Sequence, residues 1–170
     1  MLNVVIPVKY SERLPYKHFL TLGGRTLLEI AIEKAERFGK TTVYSRIDLP
    51  VSYEKDRGRS IIDLMNMVSS KVSGSFLMMG PDMPFIMESD ISRLIELSDG
   101  EPIIAVHEDG QYEPMFAIYR HGMTFERSLH ETFRREKIRV ADTSEFSSNA
   151  FININTPEDY IRALEIFRSH

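Results

Sequence analysis

The sequence contains no cysteine among its 170 residues. Disulfide bonds, thiolate metal sites and cysteine nucleophiles are therefore excluded, and the absence fits a reducing compartment. Any metal would have to be bound by oxygen or imidazole ligands. The five histidines show neither an HExxH motif nor a paired spacing, so the sequence does not favour a zinc site.

Long apolar runs and an excess of positive charge are also missing. No stretch approaches the roughly 20 apolar residues of a membrane span, and the N-terminal run is interrupted by Pro7 and Lys9 and lacks the cleavage site of a secretory signal. The 21 Lys and Arg residues are outnumbered by 25 Asp and Glu residues, which gives a net charge of −4. No overall positive field attracts nucleic acid or an anionic membrane. We predict a cytoplasmic protein that binds neither.

The length and composition are those of one folded domain. Hydrophobic residues make up 42% of the chain and charged residues 27%, close to the average of globular proteins. A chain of 170 residues is long enough to bury a substantial core. We therefore predict a single domain over residues 1–170.

Apolar patterns alternate between strands and helices in the first half of the chain. Residues 4–8 form a β-branched run without polar alternation, which is typical of a strand buried on both faces of a parallel sheet. The same reasoning predicts strands at 41–45 and 76–79, and helical spacing predicts helices at 28–35, 61–68 and from Ser89, with Gly39 as a helix C-cap. This order predicts a layered α/β sheet with right-handed crossovers.

The second half of the chain has a different pattern. Residues 101–120 contain two strand-like segments joined through Asp109-Gly110, which predicts an antiparallel hairpin on a mixed sheet. Residues 122–135 predict a helix and 151–154 a short strand. A final helix is expected to about Phe167, with Thr156 as its N-cap and Pro157 at its first position.

Ligands of open α/β sheets bind beyond the carboxyl ends of the strands, so the loops after these ends are candidate sites. The first loop carries Lys9, Arg13 and Lys17 against a single acid, an arrangement suited to a polyphosphate. It has no glycine between residues 9 and 17, so it is neither a Walker loop nor a dinucleotide fingerprint. The alternative interpretation is a solvated surface loop.

Two further loops carry oxygen ligands. Asp82 lies between Pro81 and Pro84 after a buried strand, a stiffly held carboxylate that suits Mg²⁺, although it would also suit a turn cap. Strand alternation places Asn153 and Asn155 on the same side, where their amides could bind a cation, a phosphate or a sugar hydroxyl. The alternative is that Asn155 only begins the last helix.

Four segments together resemble a known family. They are VVIPVKYSERLPYKHFLTLGGRTLLEIAIEKA (4–35), MMGPDMPFI (78–86), EPMFAIYR (113–120) and FININTPEDY (151–160). The first is similar to the opening of sugar-nucleotide and cofactor nucleotidyltransferases, and the others resemble elements of MobA-type molybdenum cofactor guanylyltransferases. All four occur in the family's order over nearly the whole chain.

The resemblance implies a Rossmann-like three-layer α/β/α sandwich with a mostly parallel mixed sheet, of the nucleotide-diphospho-sugar transferase type. It implies Mg²⁺-dependent transfer of a nucleoside monophosphate from a nucleoside triphosphate, with GTP favoured, to a phosphorylated acceptor such as molybdopterin. Pyrophosphate is the expected second product. The chain is expected to act as a monomer or a small homo-oligomer.

The resemblance also assigns roles by position. The expected catalytic residues are Arg13 and Lys17, which would hold the triphosphate, and Asp82. The expected metal ligands are Asp82 and Asn155, and the expected acceptor contacts are Glu113, Asn153 and Asn155. The expected nucleotide contacts are Pro7, Val8, Lys9, Ser11, Arg13, Lys17, Asp56 and Gly58. Gly23 and Gly24 are expected to shape the turn below the nucleotide.

The first loop departs from the MobA pattern, because residues 6–15 lack its glycines. This opening resembles the I-P-A-R-Y segment of CMP-KDO synthetases, which use CTP. Residues 56–64, DRGRSIIDL, also resemble guanylyltransferases of archaeal cobamide synthesis. The alternatives are therefore a cytidylyltransferase, a cobamide-type guanylyltransferase or a non-catalytic nucleotide-binding relative. A glycosyltransferase is disfavoured because Asp82-Met83-Pro84 lacks the second acid of a D-x-D motif.

Overall fold

The computed structural model describes residues 2–169. The strands are β1 (Leu2–Val8), β2 (Thr21–Leu22), β3 (Arg25–Thr26), β4 (Gly39–Ser45), β5 (Glu54–Lys55), β6 (Ser75–Met79), β7 (Ile103–Val106), β8 (Tyr112–Arg120) and β9 (Arg139–Asp142). The helices are α1 (Leu27–Glu36), α2 (Ile61–Lys71), α3 (Glu88–Ser98), α4 (Leu129–Arg135) and α5 (Pro157–Arg168). Short 3₁₀ helices lie at Lys17–Phe19 and Thr143–Glu145.

Seven strands form one mixed sheet in the order β5-β4-β1-β6-β8-β7-β9. The pairs β1–β4, β1–β6, β4–β5 and β7–β9 are parallel, and β8 runs antiparallel to both of its neighbours. The predicted mostly parallel mixed sheet is therefore confirmed. The turn at Asp109-Gly110 joins β7 to β8, and it is closed by a hydrogen bond from His107 N to Gln111 O at 2.8 Å.

Helices cover both faces of the sheet. Helices α1 and α3 pack on one face against apolar residues of β1, β6 and β8, and α2 and α4 pack on the other. Helix α5 packs against the start of α1 and the β2–β3 hairpin in a smaller apolar cluster. The arrangement is the predicted three-layer α/β/α sandwich. None of the helices in residues 2–169 has the length and apolar character that a membrane crossing requires.

Helix α5 begins as the sequence predicts. The Thr156 hydroxyl accepts a hydrogen bond from Asp159 N at 3.1 Å, and the Asp159 carboxylate accepts one from Thr156 N at 2.9 Å. Pro157 takes the first helical position, where its missing N–H costs nothing. This reciprocal cap fixes the chain direction just after Asn155.

Two helix boundaries differ from prediction. Gly39 is not the C-cap of α1, because that helix ends at Glu36 with Arg37 as its C-cap, and Gly39 already pairs with Leu2 as the first residue of β4. A Cβ at residue 39 would collide with the Leu2 carbonyl oxygen, so close strand packing requires the glycine. Helix α3 begins one residue before Ser89, where the Asp90 carboxylate accepts a hydrogen bond from Met87 N at 2.8 Å.

Two other predicted elements are wrong in part or in full. Only 129–135 of the predicted helix 122–135 is helical, because the Asn66 side chain holds both the N–H and the carbonyl of Phe125 in an irregular segment. Residues 151–154 form no strand. Ile154 N instead donates a single hydrogen bond to Asp82 O at 2.8 Å, a tertiary contact that no local pattern encodes.

Candidate active site

A cavity of about 410 Å³ opens where β1 and β6 end. The loops after β1 and β6 meet there, as expected from their positions at the carboxyl ends of parallel strands, and the segment before α5 joins them. Its walls are formed by Pro7, Lys9, Tyr10, Ser11, Arg13, Lys17, His18, Ile61, Gly80, Pro81, Asp82, Pro114, Met115, Leu129 and Asn155.

Lys17, Asp82 and Asn155 contact one another in the cavity wall. The Lys17 ammonium lies 3.0 Å from Asp82 Oδ2 and 3.1 Å from Asn155 Oδ1. The side chains of Lys17 and Asp82 are only 10% and 20% exposed, so the ion pair is poorly screened by water. A carboxylate oxygen and an amide oxygen thus converge on a single cation.

The backbone that carries Asp82 is held by hydrogen bonds on both sides. Gly80 N donates to Met115 O at 3.0 Å, and Asp82 O accepts from Ile154 N at 2.8 Å. A Cβ at residue 80 would lie 2.8 Å from Asp82 Oδ1 and 3.2 Å from Met115 Cβ. Glycine at position 80 therefore leaves the space that this orientation of the carboxylate needs.

Asn155 owes its position to the cap of α5. The N–H groups of Asn155 and Thr156 both donate to Asp159 Oδ2 at 2.9 Å. These hydrogen bonds, that of Asn155 above all, lower the pKa of Asp159. Because the backbone of Asn155 is occupied by the cap, its side-chain amide remains available to face the cavity.

The donor set fits a magnesium ion that is shared with a phosphate ligand. Within residues 2–169 no group of three or more histidine, aspartate and glutamate side chains lies close enough to enclose a metal. Mg²⁺ usually takes only one or two protein carboxylates and completes its shell with water and substrate phosphates. The Asp82 carboxylate and the Asn155 amide oxygen, which both contact the Lys17 ammonium, meet that requirement.

The first loop adds positive charge to the cavity wall. Lys9, Ser11 and the exposed Arg13 all line the cavity. Burial lowers the pKa of Lys9, with a smaller contribution from the nearby charge of Arg46. Such an excess of donors favours an anionic ligand.

Several residues predicted to contact nucleotide do not line this cavity. Val8 is buried in the core between strands. Asp56 is also buried, where its Oδ1 accepts from Gly58 N at 2.9 Å and its Oδ2 lies 3.5 Å from Arg46 Nε. A Cβ at Gly58 would lie 2.7 Å from Asp63 Cβ, so this glycine serves close packing before α2.

Two of the predicted acceptor contacts lie outside the cavity wall as well. Glu113 Oε1 is 3.4 Å from His107 Nε2, and burial raises the pKa of Glu113 while His107 opposes the shift. Asn153 Oδ1 is buried without a hydrogen-bond partner in the described part of the chain. Its predicted alternation with Asn155 fails because this segment is not a strand. Of the three predicted acceptor contacts, Asn155 reaches the cavity.

Gly23 and Gly24 lie in the turn between β2 and β3, both with positive φ. A Cβ at Gly23 would lie 2.5 Å from the Phe167 ring, so this turn packs against α5. Neither glycine lines the cavity.

Sequence reasoning missed His18 and the apolar wall. His18 is 3% exposed, and its Nε2 donates to Lys9 O at 2.7 Å, because a carbonyl oxygen can only accept. Burial lowers the pKa of His18, which favours the neutral ring. Ile61 and Leu129, the first residues of α2 and α4, add apolar surface at the cavity. Both residues lay within predicted helices, at 61–68 and 122–135, and only the tertiary structure shows that these helix ends meet the site.

Comparisons with known proteins show similarity in sequence and in fold. No family model matches the chain. A probable molybdenum cofactor guanylyltransferase of Natranaerobius thermophilus is 28% identical, with 86% of each chain covered.

Solved structures of nucleotidyltransferases share the fold. Molybdopterin-guanine dinucleotide biosynthesis protein A of Archaeoglobus fulgidus superposes with a TM-score of 0.75 at 22% identity, over 100% of both chains. A CMP:2-keto-3-deoxy-manno-octonic acid synthetase complexed with CTP gives a TM-score of 0.73 at 16% identity, covering 99% of this chain and 98% of that one. The resemblance inferred from the sequence is confirmed: the chain is similar over most of its length to a probable molybdenum cofactor guanylyltransferase, and it has the fold of solved nucleotidyltransferases.

Proposed function

We propose that the protein transfers a nucleoside monophosphate, with GTP as the favoured donor, to a phosphorylated small molecule such as molybdopterin and releases pyrophosphate. The observation that carries this proposal is that the side-chain oxygens of Asp82 and Asn155 both contact the Lys17 ammonium, in a cavity that Arg13 also lines. The probable guanylyltransferase relative supports GTP and this acceptor class.

The transfer exchanges one phosphorus–oxygen bond for another. A phosphate oxygen of the acceptor attacks the α-phosphorus, the bond from that phosphorus to the bridging oxygen breaks, and the electron pair leaves with pyrophosphate. The attacking oxygen is already anionic at neutral pH, so the reaction needs alignment and charge neutralisation more than a general base. This requirement matches a site whose cavity wall carries cations and oxygen ligands.

Each residue has a separate task in this scheme. Asp82 and Asn155 would hold Mg²⁺, which when bound neutralises phosphate charge and aligns the reacting groups. Lys17 leaves Asp82 for the triphosphate, and Arg13 contacts the same tail. Both cations bind the triphosphate, and Lys17, which lies beside Asp82, also stabilises the charge that grows on the leaving pyrophosphate.

The direct test is pyrophosphate release with Mg²⁺ and each of ATP, CTP, GTP and UTP in the presence of molybdopterin. We expect release with GTP and little with the other three. Absence of release with every nucleotide, from a protein that still binds one of them, would identify a non-catalytic nucleotide-binding relative.

CTP is the second candidate donor. The first loop lacks the glycines of the MobA pattern, and a CTP-bound synthetase shares the fold. A thermal-shift panel with the four nucleotides separates the donors, because a ligand that binds only the native state raises the apparent melting temperature. The largest shift with CTP would replace the guanylyltransferase assignment by a cytidylyltransferase one.

A further inference from the structure

Lys34 crosses from helix α1 to the loop that carries Asp82. Its Nζ donates to Pro84 O at 2.5 Å and to Ile86 O at 2.6 Å. These carbonyls follow Asp82 by two and four residues. Lys34 does not line the cavity, so it reaches the Asp82 loop from the α1 side while Lys17 contacts it from the cavity.

Burial makes the position of Lys34 unfavourable for a charged side chain. Burial lowers the pKa of Lys34 to about 8, which shows that the ammonium is disfavoured there. The ammonium is stabilised there by the two carbonyl groups that it binds, both in one loop, and by the negative charges of Asp90 and Glu88. Both contacts serve the same short segment, so their shared effect is to fix that segment against α1.

The contact of Lys34 with the Asp82 loop matters because the contact of Lys17 with Asp82 is temporary. In the proposed function, Lys17 turns from Asp82 to the triphosphate, and Asp82 then loses its ion-pair partner. The bond from Ile154 N to Asp82 O and the bridge from Lys34 both remain. We infer that Lys34 is a positioning residue, which holds the Asp82 loop in place while the carboxylate exchanges Lys17 for the metal; this inference rests on the proposed function.

The absence of cysteine permits a chemical test of this role. Lys34→Cys introduces a unique thiol, and alkylation with 2-bromoethylamine restores an ammonium on a side chain of almost the same length. Lys40→Cys, treated in the same way, is the matched control because Lys40 is exposed on β4. Three quantities are measured: the Mn²⁺ concentration for half-maximal pyrophosphate release, Mn²⁺ binding by electron paramagnetic resonance with GTP, and hydrogen exchange of residues 81–86.

We expect Lys34→Cys to raise the Mn²⁺ requirement and the Mn²⁺ dissociation constant about tenfold, in the range of residues that orient metal ligands. Hydrogen exchange in 81–86 should accelerate, and alkylation should reverse all three changes. The Lys40→Cys protein should behave as wild type before and after alkylation. An unchanged Mn²⁺ requirement and dissociation constant in active Lys34→Cys, or a defect that alkylation fails to reverse, would overturn the inference. A wild-type protein without pyrophosphate release would instead contradict the proposed function.

Discussion

The two walls of the cavity are built differently. On the wall after β6, Asp82 is fixed by backbone hydrogen bonds through Gly80 and Ile154, and Lys34 ties the next residues to α1. On the wall after β1, Arg13 is exposed, and Tyr16, in the same loop but outside the cavity lining, is 60% exposed with a positive φ of 56°. The first wall is rigid and the second is open.

This difference matches the chemistry that each wall would supply. A metal ligand acts only within a narrow range of distance and angle, so a carboxylate gains from being positioned before the ligand arrives. Cationic side chains that bind a flexible triphosphate can bind it better when they are free to move with it. The comparison therefore predicts that changes on the Asp82 wall reduce turnover, whereas changes on the Arg13 wall mainly reduce nucleotide affinity.

The largest effect is expected from Asp82→Asn. Loss of the carboxylate charge should lower kcat by about 10² to 10³, the usual range for one transition-state electrostatic contact. Pyrophosphate release at saturating Mg²⁺ and nucleotide measures the effect. Asp109→Asn, at an exposed hairpin turn, is the control and should retain wild-type turnover. Equal turnover of the two variants would remove Asp82 from the mechanism.

The rigidity of the same wall can be tested through Gly80→Ala. The added Cβ would lie 2.8 Å from Asp82 Oδ1, so the carboxylate must shift. A shift of about 1 Å can cost on the order of 10² in rate, and we expect kcat to fall by up to that factor. Retention of full turnover would show that the wall tolerates movement.

Gly74→Ala is the contrasting substitution for Gly80→Ala. Gly74 has a φ of +89° and open space around it, so alanine adds backbone strain without a collision. We expect a loss of stability of about 1 to 2 kcal/mol without a change in kcat. Thermal unfolding and pyrophosphate release, measured on both variants, separate strain from misplacement of the carboxylate.

The sequence predicts the rigid wall better than the site as a whole. The prolines around Asp82, the cap at Thr156 and the buried strands are local patterns, and the strand order then requires the loops to converge. The role of Gly80 is not local. It depends on Met115, which arrives from the antiparallel strand β8.

The failures have the same origin. The segment before Asn155 alternates like a strand, yet its backbone N–H pairs with Asp82 O, a residue far away in the chain. Lys34 lies in an amphipathic helix, where the sequence pattern predicts a charged side chain exposed to solvent. Its partners are the backbone carbonyls of Pro84 and Ile86. Every residue type has such a carbonyl, so the sequence cannot reveal these contacts.

On the open wall after β1, we expect substitutions to change nucleotide affinity rather than turnover. Arg13→Ala removes a charged donor from the triphosphate, and we expect the GTP concentration for half-maximal rate to rise about tenfold, since such a hydrogen bond contributes about 1.5 kcal/mol. The effect should weaken at high salt because Arg13 is exposed. Arg162→Ala, an exposed arginine on α5, is the control. A fall in kcat at unchanged GTP requirement would show that this wall also positions the reacting atoms.

The smallest effect concerns the stability of the rigid wall as a function of pH. The pKa of Lys34 is lowered to about 8, mainly by burial and partly by Arg25, while Asp90 and Glu88 oppose the shift. Below that pH both folded and unfolded chains bind the proton. Above it only the unfolded chain retains the proton, up to about pH 10.5, so this residue makes the free energy of unfolding rise with pH.

The rise attributable to Lys34 is about 1 kcal/mol between pH 8 and 9. Lys34→Met lacks this titration, so the difference in unfolding free energy between wild type and variant should move in favour of wild type by that amount. Urea unfolding at both pH values measures it. A difference that stays constant would mean that the Lys34 ammonium titrates at the usual pKa of an exposed lysine, and that the contact between α1 and the Asp82 loop is more open to water than its geometry indicates.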